Sequence, residues 1–122
     1  MVKEPILTLF TCPKPFTNSH IAIIQRNALQ SWKNLGDGVE IVLLGEEEGL
    51  AEVSKELGMV HLPEIKRNDQ NTPLVSSLFE EARKLNQSPL LAYVNADILL
   101  FPDFVESAQK LLAQTNKFLM VG

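Results

Sequence analysis

The stretch LLAYVNADILLFPDF, residues 90–104, decides how the chain is read. Leu90 to Val94 form a strongly apolar run that passes directly into Asn95-Ala96-Asp97; apolar character resumes at Ile98 to Phe101 and ends at Pro102-Asp103. A run of that length, closed by polar residues and a proline, has the pattern of a strand, and a helix is expected to start near Pro102-Asp103. A carboxylate behind a buried strand is costly to leave unpaired. Asp97 must therefore reach solvent, a hydrogen-bond donor or a cation.

Outward from this strand, the chain alternates between two periodicities. Residues 5–12, PILTLFTC, are β-prone and stop at Pro13-Lys14-Pro15, where two prolines forbid both helix and sheet ladder. From Ser19 to Leu35 the apolar residues Ile21, Ile24, Ala28, Trp32 and Leu35 recur every three or four positions, with Gln25, Arg26, Gln30 and Lys33 off that stripe. This predicts an amphipathic helix capped by Asn18 or Ser19 and stopped by Gly36 or Gly38. Residues 39–45, VEIVLLG, read as a strand buried on both faces. Glu46-Glu47-Glu48 open a shorter helix bearing Leu50, Val53 and Leu57 and closed by Gly58, the acids facing the positive pole of its dipole.

Residues 59–65, MVHLPEI, predict a strand near a sheet edge because Pro63 interrupts it. After the polar segment 66–71, Thr72-Pro73 predict a helix start, with Leu74, Leu78, Phe79, Ala82 and Leu85 on its buried face. Beyond residue 104, Phe104, Ala108, Leu111 and Leu112 mark a helix, and KFLMVG, residues 117–122, a last strand. Strand and helix thus alternate along residues 1–122 as one domain. The fold class expected is α/β, a three-layer α/β/α arrangement with a mostly parallel sheet. Such sheets bind ligands outside the carboxyl ends of their strands, where strand order reverses.

Composition narrows the function. The net charge is −4, which argues against broad nucleic-acid binding, since that needs a basic face to displace counterions from phosphate. The longest apolar runs, Ile41 to Leu44 and Ile98 to Phe101, fall far short of the roughly 20 residues of a membrane span. One cysteine, Cys12, permits no internal disulfide and fits a reducing cytoplasm. Neither G-x-G-x-x-G nor G-x-x-x-x-G-K-[ST] occurs, which counts against a Rossmann dehydrogenase and a P-loop NTPase. His20 and His61 lack partners at zinc-ligand spacing, and Cys12 lacks an evident base and reads as a packed thiol.

The remaining polar residues concentrate at the expected strand ends. In extended chain Asn95 and Asp97 point to one side and offer oxygens to a hard ion such as Mg²⁺ or Mn²⁺, which commonly takes one or two carboxylates together with substrate phosphate and water. The plainer alternative is that Asp97 caps a turn. Lys14, Lys66 and Arg67 can neutralise phosphate or remain solvated surface charges. Pro13 and Pro15 can hold a rigid loop beneath a flat base, with Phe16 close by or in the core. Glu46 to Glu48 can accept from a base or ribose, or simply begin a helix.

Strand, TCPKPF loop, helix, strand ending in acids, LLAYVNADILLFPDF and KFLMVG together resemble the nucleotide-sugar-binding half of GT-A glycosyltransferases, especially those similar to glycosyltransferase family 2. In that family the fourth strand ends in Asp-x-Asp, followed by apolar residues and a proline-acid-apolar sequence like Pro102-Asp103-Phe104. The resemblance implies a nucleotide-diphospho-sugar transferase fold, a nucleotide sugar as ligand and Mn²⁺ or Mg²⁺ as cofactor. It assigns the metal to Asp97, ribose or sugar contact to Asn95, and nucleotide contacts to Thr11, Pro13 and Lys14. Glu46 or Glu47 would meet the base, and Arg67 would approach the nucleotide. Asn95 stands where the family has an acid and removes a negative charge. The family continues past the strand that KFLMVG matches, so the resemblance implies a truncated half in which neither catalytic base nor acceptor site is present. An excised domain, a component completed by a partner and a small binding homologue all fit. A homo-oligomer or a partner covering the missing half is expected. The acceptor is unknown, and a non-catalytic α/β binding or assembly module is the alternative.

Overall fold

In the computed structural model, residues 6–36, 38–70, 74–85, 88, 90–115 and 119–121 are described. Strand and helix alternate along them as β1 (Leu7–Thr11), α1 (Ser19–Lys33), β2 (Val39–Leu44), α2 (Leu50–Leu57), β3 (Val60–Leu62), α3 (Val75–Leu85), β4 (Leu90–Val94), α4 (Asp103–Thr115) and β5 (Leu119–Val121). The strands form one sheet in the order β3-β2-β1-β4-β5, and every neighbouring pair is parallel. Chain order therefore reverses between β1 and β4. That is the switch point at which open α/β sheets leave a crevice.

Both faces of the sheet are covered. On one, Leu7, Leu9, Ile41, Leu43, Ala92 and Val94 pack with Leu29 and Trp32 of α1 and with Leu50 and Val53 of α2; on the other, Phe10, Val42, Leu44 and Leu91 meet Leu78 and Ala82 of α3. The strict alternation along β1, with Leu7 and Leu9 on one face and Phe10 on the other, is the period of two that a strand imposes. It explains why these strands read as continuous apolar runs rather than alternating ones. Phe10 also makes edge-on contacts with Phe79 at 4.7 Å and Tyr93 at 5.6 Å. At the opposite, amino end of the sheet Thr8, Glu40 and Ser88 are buried polar residues, and the Thr8 and Ser88 hydroxyls lie 2.7 Å apart.

Several expectations need correction. Gln25 is buried on α1, whereas Ile24 is 37% exposed and Ile21 half-buried, because the β1–α1 loop folds over that part of the helix. Leu74 is exposed, lying before the first turn of α3. Glu46 to Glu48 do not open α2: Gly49, at φ +87°, intervenes, and Glu52 is the acid in the first turn. β3 stops at Leu62, just before Pro63, and is an edge strand as the proline predicted. Asn18 is the α1 cap, its side chain accepting from the His20 and Ile21 amides. Thr72-Pro73 lie outside the described residues, as do the side chains of Ala108, Leu111 and Leu112.

Candidate functional site

The carboxyl ends of β1 and β4 flank an open cleft of about 350 Å³, lined by Cys12 and Lys14 from one loop, Asn95, Ala96 and Asp97 from the other, Tyr93 from β4, and Ile21, Ile24 and Gln25 from α1. Helix α1 organises both walls. Toward its start, the buried Gln25 carboxamide accepts from the Lys14 amide at 2.8 Å and donates to the Lys14 carbonyl at 3.0 Å. Pro13 and Pro15 have no N–H, so Lys14 carries the single amide proton of this loop segment, and it is used. Toward the other end of the helix, Trp32 Nε1 donates to the Ile98 carbonyl at 2.8 Å. Ser31 Oγ accepts from the Leu100 amide at 3.0 Å and donates to the Ala28 carbonyl at 2.6 Å.

These bonds hold the segment after Asp97 along α1. Asn95 and Asp97 reach the cleft by a route other than the extended one: the Ile98 amide donates to the Asn95 carbonyl at 3.2 Å, closing a turn. Ala96 is buried within that turn while Asn95 and Asp97 face outward. The Asp97 carboxylate has no protein hydrogen-bond or ion-pair partner among the described residues. No group of three or more His, Cys, Asp or Glu converges among those residues either. The donor set on offer is one carboxylate and one amide oxygen, which suits a hard divalent cation whose remaining ligands are phosphate oxygens and water.

A second polar group lies near Cys12, outside the residues that line the cleft. Arg67 Nη2 donates to Glu47 Oε1 at 2.7 Å, with about a quarter of each side chain exposed. Gly45 lies beneath the pair at φ +109°, and a Cβ there would stand 3.5 Å from both Arg67 Nη2 and Cys12 Sγ. Its carbonyl oxygen is 2.6 Å from His61 Nε2, which as the donor to an oxygen acceptor must carry the proton. The loops of β1 and β2 are also joined directly, the Phe16 amide donating to the Glu48 carbonyl at 2.8 Å. Burial pushes the Cys12 thiol up, Arg67 draws it partly back, and Glu47 adds to the rise. Burial likewise raises the Tyr93 phenol, the charge on Cys12 adding to the rise and a hydrogen bond with the Cys12 backbone drawing it partly back. Both groups stay protonated at neutral pH, so neither is a ready nucleophile.

No family model, curated protein or solved structure matches this chain.

Of the residues anticipated from sequence, the cleft brings together Lys14, Asn95 and Asp97. Glu47 and Arg67 pair with each other near Cys12 and are not among the residues lining the cleft, Glu46 is exposed, and Thr11 and Pro13 are buried. Tyr93, Ile21, Ile24 and Gln25 were missed. For Gln25 a signal existed: it stands four residues after Ile21 and three before Ala28, at helix-stripe spacing. A polar residue within a buried stripe needs a hydrogen-bonding partner, and here that partner is the Lys14 backbone. No described helix is long and apolar enough to cross a membrane.

Proposed function

We propose that the cleft binds a nucleotide-diphosphate sugar together with Mn²⁺ or Mg²⁺, as the donor half of a GT-A glycosyltransferase does, for transfer to an acceptor still to be identified. One observation carries this reading. A lysine on one wall and, on the other, a carboxylate with no protein partner among the described residues face a cleft at the point where strand order reverses, between β1 and β4. Lys14 supplies charge for a diphosphate, and Asp97 supplies a ligand for the cation that would bridge it. Ile21, Ile24 and Tyr93 offer apolar and aromatic surface for the uncharged parts of the ligand. A cation held there would supply Lewis-acid stabilisation of the leaving diphosphate.

A second reading, a non-catalytic binding or assembly module, is favoured by Leu99 and Phe101, which follow the Asp97 turn and are 53% and 63% exposed. A thermal-shift titration with nucleotide sugars, with and without Mn²⁺, separates the two. Ligand at 100 times its dissociation constant should add about 2.7 kcal/mol to stability. The expected result is a metal-dependent shift in the wild type that disappears in Asp97→Ala. If no nucleotide sugar gives such a shift, the glycosyltransferase reading fails and the module reading stands.

A further inference from the structure

The contact between α1 and the β1–α1 loop is unusual in being made by one side chain to both backbone polar groups of one residue. Gln25 accepts from Lys14 N–H and donates to Lys14 C=O, at 2.8 and 3.0 Å, and only 3% of it is exposed. The prolines on either side fix their own φ angles and confine Cys12 and Lys14, which precede them, to extended conformations. The freedom left in the segment is largely the orientation of the Lys14 peptide groups. A glutamine suits both of them: a carboxylate would accept from the amide but repel the carbonyl, and an alkyl chain would do neither. Lys14 itself is exposed at the cleft, so the buried Gln25 is a base beneath an exposed cation.

We infer that Gln25 is a positioning residue that holds the Lys14 backbone so that its ammonium faces the Asn95–Asp97 wall, where it meets the anionic part of the ligand. The use made of Lys14 rests on the functional reading above; the bracing of the loop by Gln25 does not. The test therefore has two arms. In the first, calorimetry with uridine diphosphate, guanosine diphosphate and inorganic pyrophosphate, each with Mn²⁺, compares wild type, Gln25→Met, Lys14→Met and the double variant. Loss of a contact to a charged group predicts affinity about tenfold weaker in each single variant. The double variant should bind no more weakly than Lys14→Met, because Gln25 acts through Lys14. Additive losses, or a Gln25→Met protein that binds as wild type, would overturn the assignment, whereas a general structural defect would not vanish in the Lys14→Met background.

The second arm needs no ligand. Cys12, the sole cysteine, adjoins the segment and lines the same cleft, so its alkylation by iodoacetamide reports loop opening. Loss of two hydrogen bonds should speed labelling roughly tenfold in Gln25→Met and leave it unchanged in Lys14→Met. Gln25→Glu, which keeps the acceptor and loses the donor, should fall between and replaces Gln25→Met if that variant does not fold. If no diphosphate binds the wild type, the functional reading fails while labelling still decides the bracing: an unchanged rate in a folded Gln25 variant overturns it.

Discussion

Glu47 and Asp97 occupy matching positions on either side of β1, each three residues past the end of a neighbouring strand, β2 in one case and β4 in the other. Their fates differ. Glu47 is closed by Arg67, which arrives from the segment after β3, while Asp97 faces the cleft with no protein partner among the described residues. A carboxylate at the carboxyl edge of a parallel sheet is thus not a site by itself. What distinguishes the two is whether the next loop delivers a cation. On the β2 side it does, and the acid becomes part of the frame; on the β4 side the loop turns back onto α1 and leaves the acid available.

The difference can be broken from either side. The largest effect is expected at Trp32, which is fully buried and whose indole holds the Ile98 carbonyl behind Asp97. Trp32→Ala should cost about 3–5 kcal/mol in urea unfolding, removing both the core volume and the support of the Asp97 turn. On the closed side, Gly49 combines φ +87° with a space where a Cβ would lie 2.8 Å from Phe16 Cβ. Backbone strain and contact together predict a loss of about 1–3 kcal/mol for Gly49→Ala, measured the same way. Arg67→Met sharpens the comparison by making Glu47 as unpaired as Asp97. For a half-buried pair the expected cost is about 1–2 kcal/mol, between that of exposed and buried pairs, and Glu47→Gln in the same chain should recover part of it. Smallest of all is the effect of Asp97→Ala on the ligand-free protein, within about 0.5 kcal/mol, because no described residue bonds to that exposed carboxylate.

The sheet was legible in the sequence because its signals are local. Each strand is a short apolar run, each helix a three-and-four stripe, and Pro63 marked an edge before any pairing was known. The placement of Asn95 and Asp97 at a strand end followed from the same run. Strand order was not readable, since nothing in the residues of β1 says that β2 and β4, rather than any other pair, will flank it. Nor were the partnerships that finish the site. Arg67 finds Glu47 across 20 residues, and the amide of Leu100 finds Ser31 across 69. Such contacts arise only once the sheet has brought its loops to one edge, which is why the residues alone put both Glu47 and Asp97 near strand ends without showing which of them a cation would close.

The edge strand β3 has a consequence for solubility. It is three residues long, Val60–Leu62, and Pro63 directly after it has no amide to donate. A second chain seeking to zip onto that border would find only a few backbone groups and then a proline. Short edge strands and prolines are what keep natural sheets from growing outward into aggregates. On this side the molecule carries its own stop to polymerisation, written in a single imino acid.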